Sequence, residues 1–291
     1  MPTPRFIDTN GVRLHVMEQG PADGPLVILL HGFPEFWYGW RAQIEVLAGA
    51  GFRVWAPDQR GYNLSSKPVG IANYTIDKLT ADVIGLIDAA GREKATVIGH
   101  DWGAVVAWWL GATYPHRLHR LVCLNVPHYA VMLRFLRLSP RQLLHSWYAG
   151  FFQIPWLPEW LTKRGNWWLM TRALQRTSRS GTFTDADLTA YREAWAQTGP
   201  TGDTAFKTMV NWYRAFARRR PPLPASDQIP VPTLLIWGAK DAFLIRDMAQ
   251  PSIDLCPQGK LVFVEEATHW VQHEEADLVN RLLIGFLVAP R

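Results

Sequence analysis

The stretch Ala95-Thr96-Val97-Ile98-Gly99-His100-Asp101-Trp102-Gly103-Ala104 decides the fold. Thr96, Val97 and Ile98 are β-branched and read as a short buried strand. From Ala104 to Leu110 the residues are apolar or helix-tolerant, so a buried helix follows. Between them, Gly99-His100-Asp101-Trp102-Gly103 has the form of a nucleophile elbow, a strand–turn–helix that pushes a strained central residue out over a sheet. Glycine flanks the turn because a Cβ at either place would run into the neighbouring strand or helix. The central residue is Asp, and that sets the chemistry. A carboxylate with an ordinary pKa of about 3.9 is already ionised at neutral pH. It needs no base to activate it, and its attack on an sp³ carbon would leave an ester. The plainer alternative is a tight turn in which Asp101 caps the helix.

Outward from this stretch, strands and helices alternate. Phe6 to Asp8 and Val12 to Val16 read as a hairpin around Asn10-Gly11. The unbroken apolar run Leu26-Val27-Ile28-Leu29-Leu30 predicts a strand buried on both faces, ending at His31-Gly32-Phe33-Pro34-Glu35. A helix with Trp40, Ile44 and Leu47 on one face follows, then a strand over Phe52 to Ala56 and the loop Pro57-Asp58-Gln59-Arg60-Gly61-Tyr62. Ile76, Leu79, Val83, Leu86 and Ile87 have helical spacing, and Gly91 stops that helix. Leu121 to Leu124 is a further strand. From about His128 to Pro222 the alternation breaks into aromatic-rich helical stretches with no clear strand. There Thr184 and Asp187 read as a capping box opening a helix from Asp185 to Trp195. Strands resume at Pro232 to Trp237 and Leu261 to Val264, and Leu278, Val279, Leu282, Leu283 and Phe286 make an amphipathic final helix. The expected architecture is a mostly parallel α/β sheet with helices on both faces. The core is expected over residues 1–128 and 223–291, with an all-helical cap at 129–222 above the strands' carboxyl ends, where open α/β sheets bind ligands.

Composition narrows the classes. The 291 residues are 48% hydrophobic and 19% charged, as in a globular protein with a sizeable core. A net charge of +5, with one run at Arg218-Arg219-Arg220, argues against a nucleic-acid partner. Cys123 and Cys256 have no partner motif and read as buried thiols in a reducing compartment. No signal-peptide core and no membrane-length apolar run is read, so the default location is cytoplasmic, with no membrane partner.

A carboxylate nucleophile needs a base for the second step, to activate water against the ester. The elbow fold puts its acid and base in loops after the last strands, in the order nucleophile, acid, base. Asp241, in Gly238-Ala239-Lys240-Asp241, would orient His269, in Glu265-Glu266-Ala267-Thr268-His269-Trp270. His273 is the rival base, although its position suits the start of the final helix. The backbone N–H groups of Phe33 and Trp102 would form an oxyanion hole, with Pro34 fixing the loop, for which a cis bond is an option. Each of these features taken alone also fits an ordinary turn after a strand.

The motifs His31-Gly32-Phe33-Pro34-Glu35-Phe36-Trp37-Tyr38, Asp58-Gln59-Arg60-Gly61-Tyr62, Gly99-His100-Asp101-Trp102-Gly103 and Asn211-Trp212-Tyr213-Arg214 resemble those of the epoxide hydrolases of the α/β-hydrolase fold. The similarity runs over essentially the whole chain. It implies a triad of Asp101, Asp241 and His269, with Tyr213 and the Tyr148 of Tyr148-Ala149-Gly150-Phe151-Phe152-Gln153-Ile154-Pro155 matching the family's two cap tyrosines. Thr268 departs from the family, whose members usually carry Gly before the histidine. The chemistry agrees with the tyrosines, because opening an epoxide generates an alkoxide that needs a donor, and a phenol of pKa about 10 can serve. The elbow is shared with haloalkane dehalogenases, which often carry Asn or Glu where this chain has Phe33. Fluoroacetate dehalogenases are also similar but place Arg where Trp102 stands. A halide cradle of Trp102 with Trp147, Trp156 or Trp168 keeps that alternative open, and a ligand-binding protein without turnover is a third. The expectation is hydrolysis of a small apolar epoxide to a vicinal diol, through an ester on Asp101 cleaved by water that His269 and Asp241 activate. Substrate contacts are expected from Trp102, Phe33, Pro34, Trp147 and Phe152. This chemistry calls for no metal and no organic cofactor. A homodimer is left open.

Overall fold

The computed structural model describes residues 1–219 and 223–289. The expected cap limit at Pro222, and Arg220 of the arginine run, lie outside the described residues. Eight strands form one sheet: β1 (Thr3–Thr9), β2 (Val12–Gln19), β3 (Leu26–Leu30), β4 (Arg53–Pro57), β5 (Ala95–His100), β6 (Leu118–Leu124), β7 (Thr233–Gly238) and β8 (Gly259–Val264). Their order is β1-β2-β4-β3-β5-β6-β7-β8. The β1–β2 hairpin and the β2–β4 pair are antiparallel, and every other neighbour is parallel. The continuous apolar strand reads as expected: Leu26, Ile28 and Leu30 pack into the core on one sheet face, while Val27 and Leu29 pack into the core on the other.

Helices cover both faces. They are α1 (Arg41–Gly49), α2 (Ile76–Ala89), α3 (Trp102–Thr113), then α4 (Tyr129–Leu138), α5 (Pro140–His145), α6 (Trp147–Phe151), α7 (Leu157–Thr177), α8 (Asp185–Ala196) and α9 (Ala205–Arg218) between β6 and β7, and finally α10 (Ala249–Ile253), α11 (Val271–Glu274) and α12 (Ala276–Val288). Trp40, Ile44 and Leu47 are buried, as the spacing predicted. The capping box opens α8, with Thr184 accepting the Asp187 N–H and Asp187 accepting the Thr184 N–H. One detail differs from expectation, and a second met no expectation. His273 lies in the separate short helix α11 instead of starting the last one. Helix α7 is broken at Arg164–Trp167, where Gly165, Asn166 and Trp167 take positive φ. Among the described residues no helix is long and apolar enough to cross a membrane.

The helices between β6 and β7 are tied to the loops at the strand ends through indole N–H groups. Trp195 donates to the Pro34 carbonyl at 2.6 Å and Trp212 to the Arg60 carbonyl at 3.0 Å. Arg214 holds the stretch between α6 and α7 to α9 by donating to the carbonyls of Phe152 and Ile154 and by pairing with Glu159 at 2.6 Å. The two expected tyrosine segments therefore interlock, and Gln153 adds a bond to the Tyr213 carbonyl at 3.1 Å.

Candidate active site

Asp101 stands between β5 and α3 with φ 49° and ψ −123°. A non-glycine residue in such a conformation carries strain of about 1–3 kcal/mol, held in place by its surroundings. Those surroundings explain both flanking glycines. A Cβ on Gly99 would lie 2.3 Å from the Gly103 carbonyl oxygen, and one on Gly103 would lie 2.0 Å from that of Leu30. The capping alternative fails on geometry, since the Asp101 side chain accepts no N–H from its own helix. Its Oδ1 instead accepts the Phe33 N–H at 2.6 Å. Trp102 opens α3, so its N–H is among the first-turn donors that have no acceptor within the helix. The Phe33–Pro34 peptide is cis.

His269, in the loop after β8, faces both expected carboxylates. Its Nε2 is 3.5 Å from Asp101 Oδ2, and its Nδ1 donates to Asp241 Oδ2 at 2.7 Å. Asp241 follows β7 and is fixed in turn. Its Oδ1 accepts the N–H groups of Phe243 and Leu244, and its Oδ2 also accepts the Asn125 amide at 2.8 Å. Burial would lower the pKa of His269, but Asp241 and Asp101 raise it to about 10. The partner shift agrees in direction: burial would raise the Asp101 carboxyl, yet His269, with His100 and the Phe33 N–H, holds it below the usual range.

The rival His273 is engaged elsewhere. Its Nε2 meets Glu35 at 2.6 Å and its Nδ1 accepts from Arg41 at 3.3 Å. Glu35 anchors a buried polar cluster behind the site, with the Tyr191 hydroxyl donating at 2.8 Å, the Gln272 amide donating at 3.0 Å and His100 Nδ1 lying 3.2 Å away. Burial would raise this carboxyl, but His273 and His100 hold it well below the usual range. His100 Nε2 lies 2.8 Å from the His269 carbonyl, which can only accept, so that nitrogen carries a proton. The sequence reading found neither the Glu35 cluster nor the role of Asn125 in holding Asp241. The signal for Asn125 was its place at a strand end, where it takes positive φ (54°), a conformation Asn tolerates.

A cavity of about 620 Å³ opens over Asp101 and His269. Phe33, Pro34, Tyr148, Phe152, Tyr213 and Trp147 are all in its wall, together with Phe243, Met170, Leu174 and Trp270. The Tyr148 and Tyr213 rings are 6.0 Å apart at 82°. Burial, then the Asp101 charge, raises the pKa of both phenols above the ordinary value. Trp102 is not brought to the cavity wall. Its indole packs edge-on to Tyr213 at 4.9 Å, between Trp212 and Phe216.

A family model described as the alpha/beta hydrolase fold matches residues 25–276. The chain is 47% identical to the AB hydrolase superfamily protein YfhM of Bacillus subtilis (strain 168), over 97% of either chain. It is 36% identical to epoxide hydrolase 1 of Caenorhabditis elegans, over 97% of this chain and 70% of that one. Among solved structures, an epoxide hydrolase of Bacillus megaterium in complex with an inhibitor superposes with a TM-score of 0.87 at 31% identity, over 98% of this chain and 100% of that one. The chain belongs to the alpha/beta hydrolase fold family, among its epoxide hydrolases.

Proposed function

We propose that the protein hydrolyses an apolar epoxide to a vicinal diol through a covalent ester on Asp101, with the helices between β6 and β7 as its cap. The observation that carries this reading is the division of labour at the Asp101 carboxylate. Oδ1 is held by the Phe33 N–H, while Oδ2 lies 3.5 Å from His269 Nε2, and both residues line the cavity. Oδ2 attacks a ring carbon, the C–O bond breaks, and the oxygen takes a proton from Tyr148 or Tyr213. Their raised pKa values keep both phenols protonated and able to donate.

Water then attacks the ester carbonyl carbon. Oδ1 becomes the oxyanion, stabilised by the N–H groups of Phe33 and Trp102. The charges time this step. In the free protein His269 is protonated and paired with Asp101. Esterification removes the Asp101 charge, so the imidazole loses its proton and becomes a base. That proton returns to the phenol that gave its own to the alkoxide. His269 then takes a proton from the attacking water, the tetrahedral intermediate collapses as the Cγ–Oδ2 bond breaks, the diol leaves carrying Oδ2 and the proton from His269, and the Asp101 carboxylic acid so formed returns a proton to His269.

Two features favour an epoxide over a haloalkane. The wall carries two phenols, and the Trp102 indole lies behind Tyr213 instead of lining the cavity. A short, fully supported Asp241–His269 bond speaks against a binding protein without turnover. Replacing His269 by Gln tests the proposal. Alkylation needs no base, so the variant should gain the mass of one intact epoxide on the peptide holding Asp101 after incubation with styrene oxide, and turnover should stop. An unmodified mass, with an epoxide that the wild type converts, refutes the mechanism.

A further inference from the structure

Glu274 ends α11, five positions after His269, and its side chain has no exposed surface. Its carboxylate is shared between two parts of the chain. From the histidine loop, Thr268 donates its N–H to Oε2 and its hydroxyl to Oε1, both at 2.7 Å. From the cap, Arg179 donates its N–H to Oε1 at 2.7 Å, and its guanidinium bonds the Glu274 carbonyl and pairs with Glu275 at 2.7 Å. The Arg179 Nε stands 3.7 Å from Glu274 Oε2.

Arg179 follows the end of α7, whose last turns line the cavity through Ala173, Leu174 and Thr177. The same helix end holds the residue on the other side of the histidine, because the Trp270 indole donates to the Thr177 hydroxyl at 3.0 Å. Both neighbours of His269 are thus fastened to the end of α7: Thr268 through Glu274, and Trp270 directly. A buried carboxylate is tolerated only while its donors and its cation are in place, so undocking Arg179 would free the Thr268 peptide as well. Thr268, the residue where this chain departs from the usual Gly, adds a hydroxyl bond to this joint.

We propose that Glu274 is a positioning residue that makes the placement of His269 depend on the docking of Arg179 at the end of α7. The proposal rests on the covalent mechanism above and concerns its second half-reaction. Attack on the epoxide uses Asp101, in the turn between β5 and α3, Tyr148 on α6 and Tyr213 on α9, and the bonds of this joint run through Thr268, Glu274, Glu275 and Arg179 instead. Hydrolysis of the ester needs the imidazole aimed at a water, and an ångström of misplacement at such a step costs up to about a hundredfold.

Rapid-quench mass spectrometry of full-length Arg179→Met with styrene oxide separates the two rates. Hydrolysis of the ester should fall by about tenfold while alkylation stays within about twofold, so the adduct accumulates. Arg179→Lys, which keeps the cation, should recover hydrolysis in part, and Thr268→Gly should show a smaller loss in the same step. Unchanged hydrolysis in Arg179→Met, or an equal fall in both steps without recovery in Arg179→Lys, overturns the proposal and leaves the covalent mechanism standing. Absence of any adduct in the His269→Gln protein overturns both together.

Discussion

Asp101→Asn should bring His269 from about 10 towards neutrality. The imidazole titrates high because two carboxylates face it in a buried site, Asp241 at 2.7 Å and Asp101 at 3.5 Å. A unit charge at 3.5 Å is worth about 4–5 kcal/mol at an effective dielectric of about 20. At about 1.36 kcal/mol per unit, that is roughly three pKa units. The Asn variant copies the charge state of the ester intermediate, so its histidine should titrate near 7, where a general base works best. Two-dimensional ¹H–¹⁵N NMR of the histidine rings across pH 5 to 11, with the His269→Gln spectrum identifying the resonance, measures both midpoints. Stability should follow the same shift. The folded pKa of His269 lies above its ordinary 6.5, so protonation stabilises the fold. That contribution is complete below about 6.5 and is lost as pH rises through about 10 in the wild type, whereas in Asp101→Asn it is exhausted near 7. Equal midpoints in the two proteins would refute both the ion pair and the timing argument built on it.

Tyr148→Phe and Tyr213→Phe should each slow single-turnover alkylation of Asp101, and the double variant by about 10²–10⁴-fold; wild-type rates in the double variant would remove the tyrosines from the mechanism. Trp102→Phe should cost less than either, because Phe keeps the backbone N–H and the lost indole packs behind Tyr213; chloride or bromide release by the wild type above its epoxide turnover would favour the dehalogenase alternative instead. Gly103→Ala puts a Cβ 2.0 Å from the Leu30 carbonyl oxygen, so the backbone must move. We expect a loss of about 1–3 kcal/mol in urea unfolding, with activity falling further because Asp101 moves with the turn.

What the sequence revealed was what short-range patterns encode. Apolar runs, helical spacing and glycine placement gave the sheet, the helices on both its faces and the elbow, because each depends on residues within a turn or a strand of one another. The order of Asp101, Asp241 and His269 was legible for a related reason: a parallel sheet puts the loops after its strands at one edge, so chain order alone brings them together. The break in α7 was not read from Gly165-Asn166, two residue types that tolerate positive φ, and Trp167, which takes it as well, carries no such signal. The Glu35 cluster was not legible either, because its partners lie 65, 156, 237 and 238 residues away in the chain.

The tryptophans show most sharply where sequence reasoning stopped. A residue with an apolar body and one N–H donor suits a pocket wall, a halide cradle or a structural tie equally well. Sequence cannot choose among these, because the choice depends on which carbonyl the indole meets. Trp195 and Trp212 turn out to fasten α8 and α9 to the Pro34 and Arg60 carbonyls, and Trp270 joins the histidine loop to α7. Trp147 reaches the cavity wall while remaining 68% exposed, which suits a rim more than a cradle. The indoles that bond across segments therefore tie the helices between β6 and β7 to the loops at the strand ends. Asp101, His269, Tyr148 and Tyr213 are among the polar residues of the cavity wall, and on the proposed mechanism the tyrosine substitutions, not the tryptophan ones, are the decisive perturbations of the chemistry.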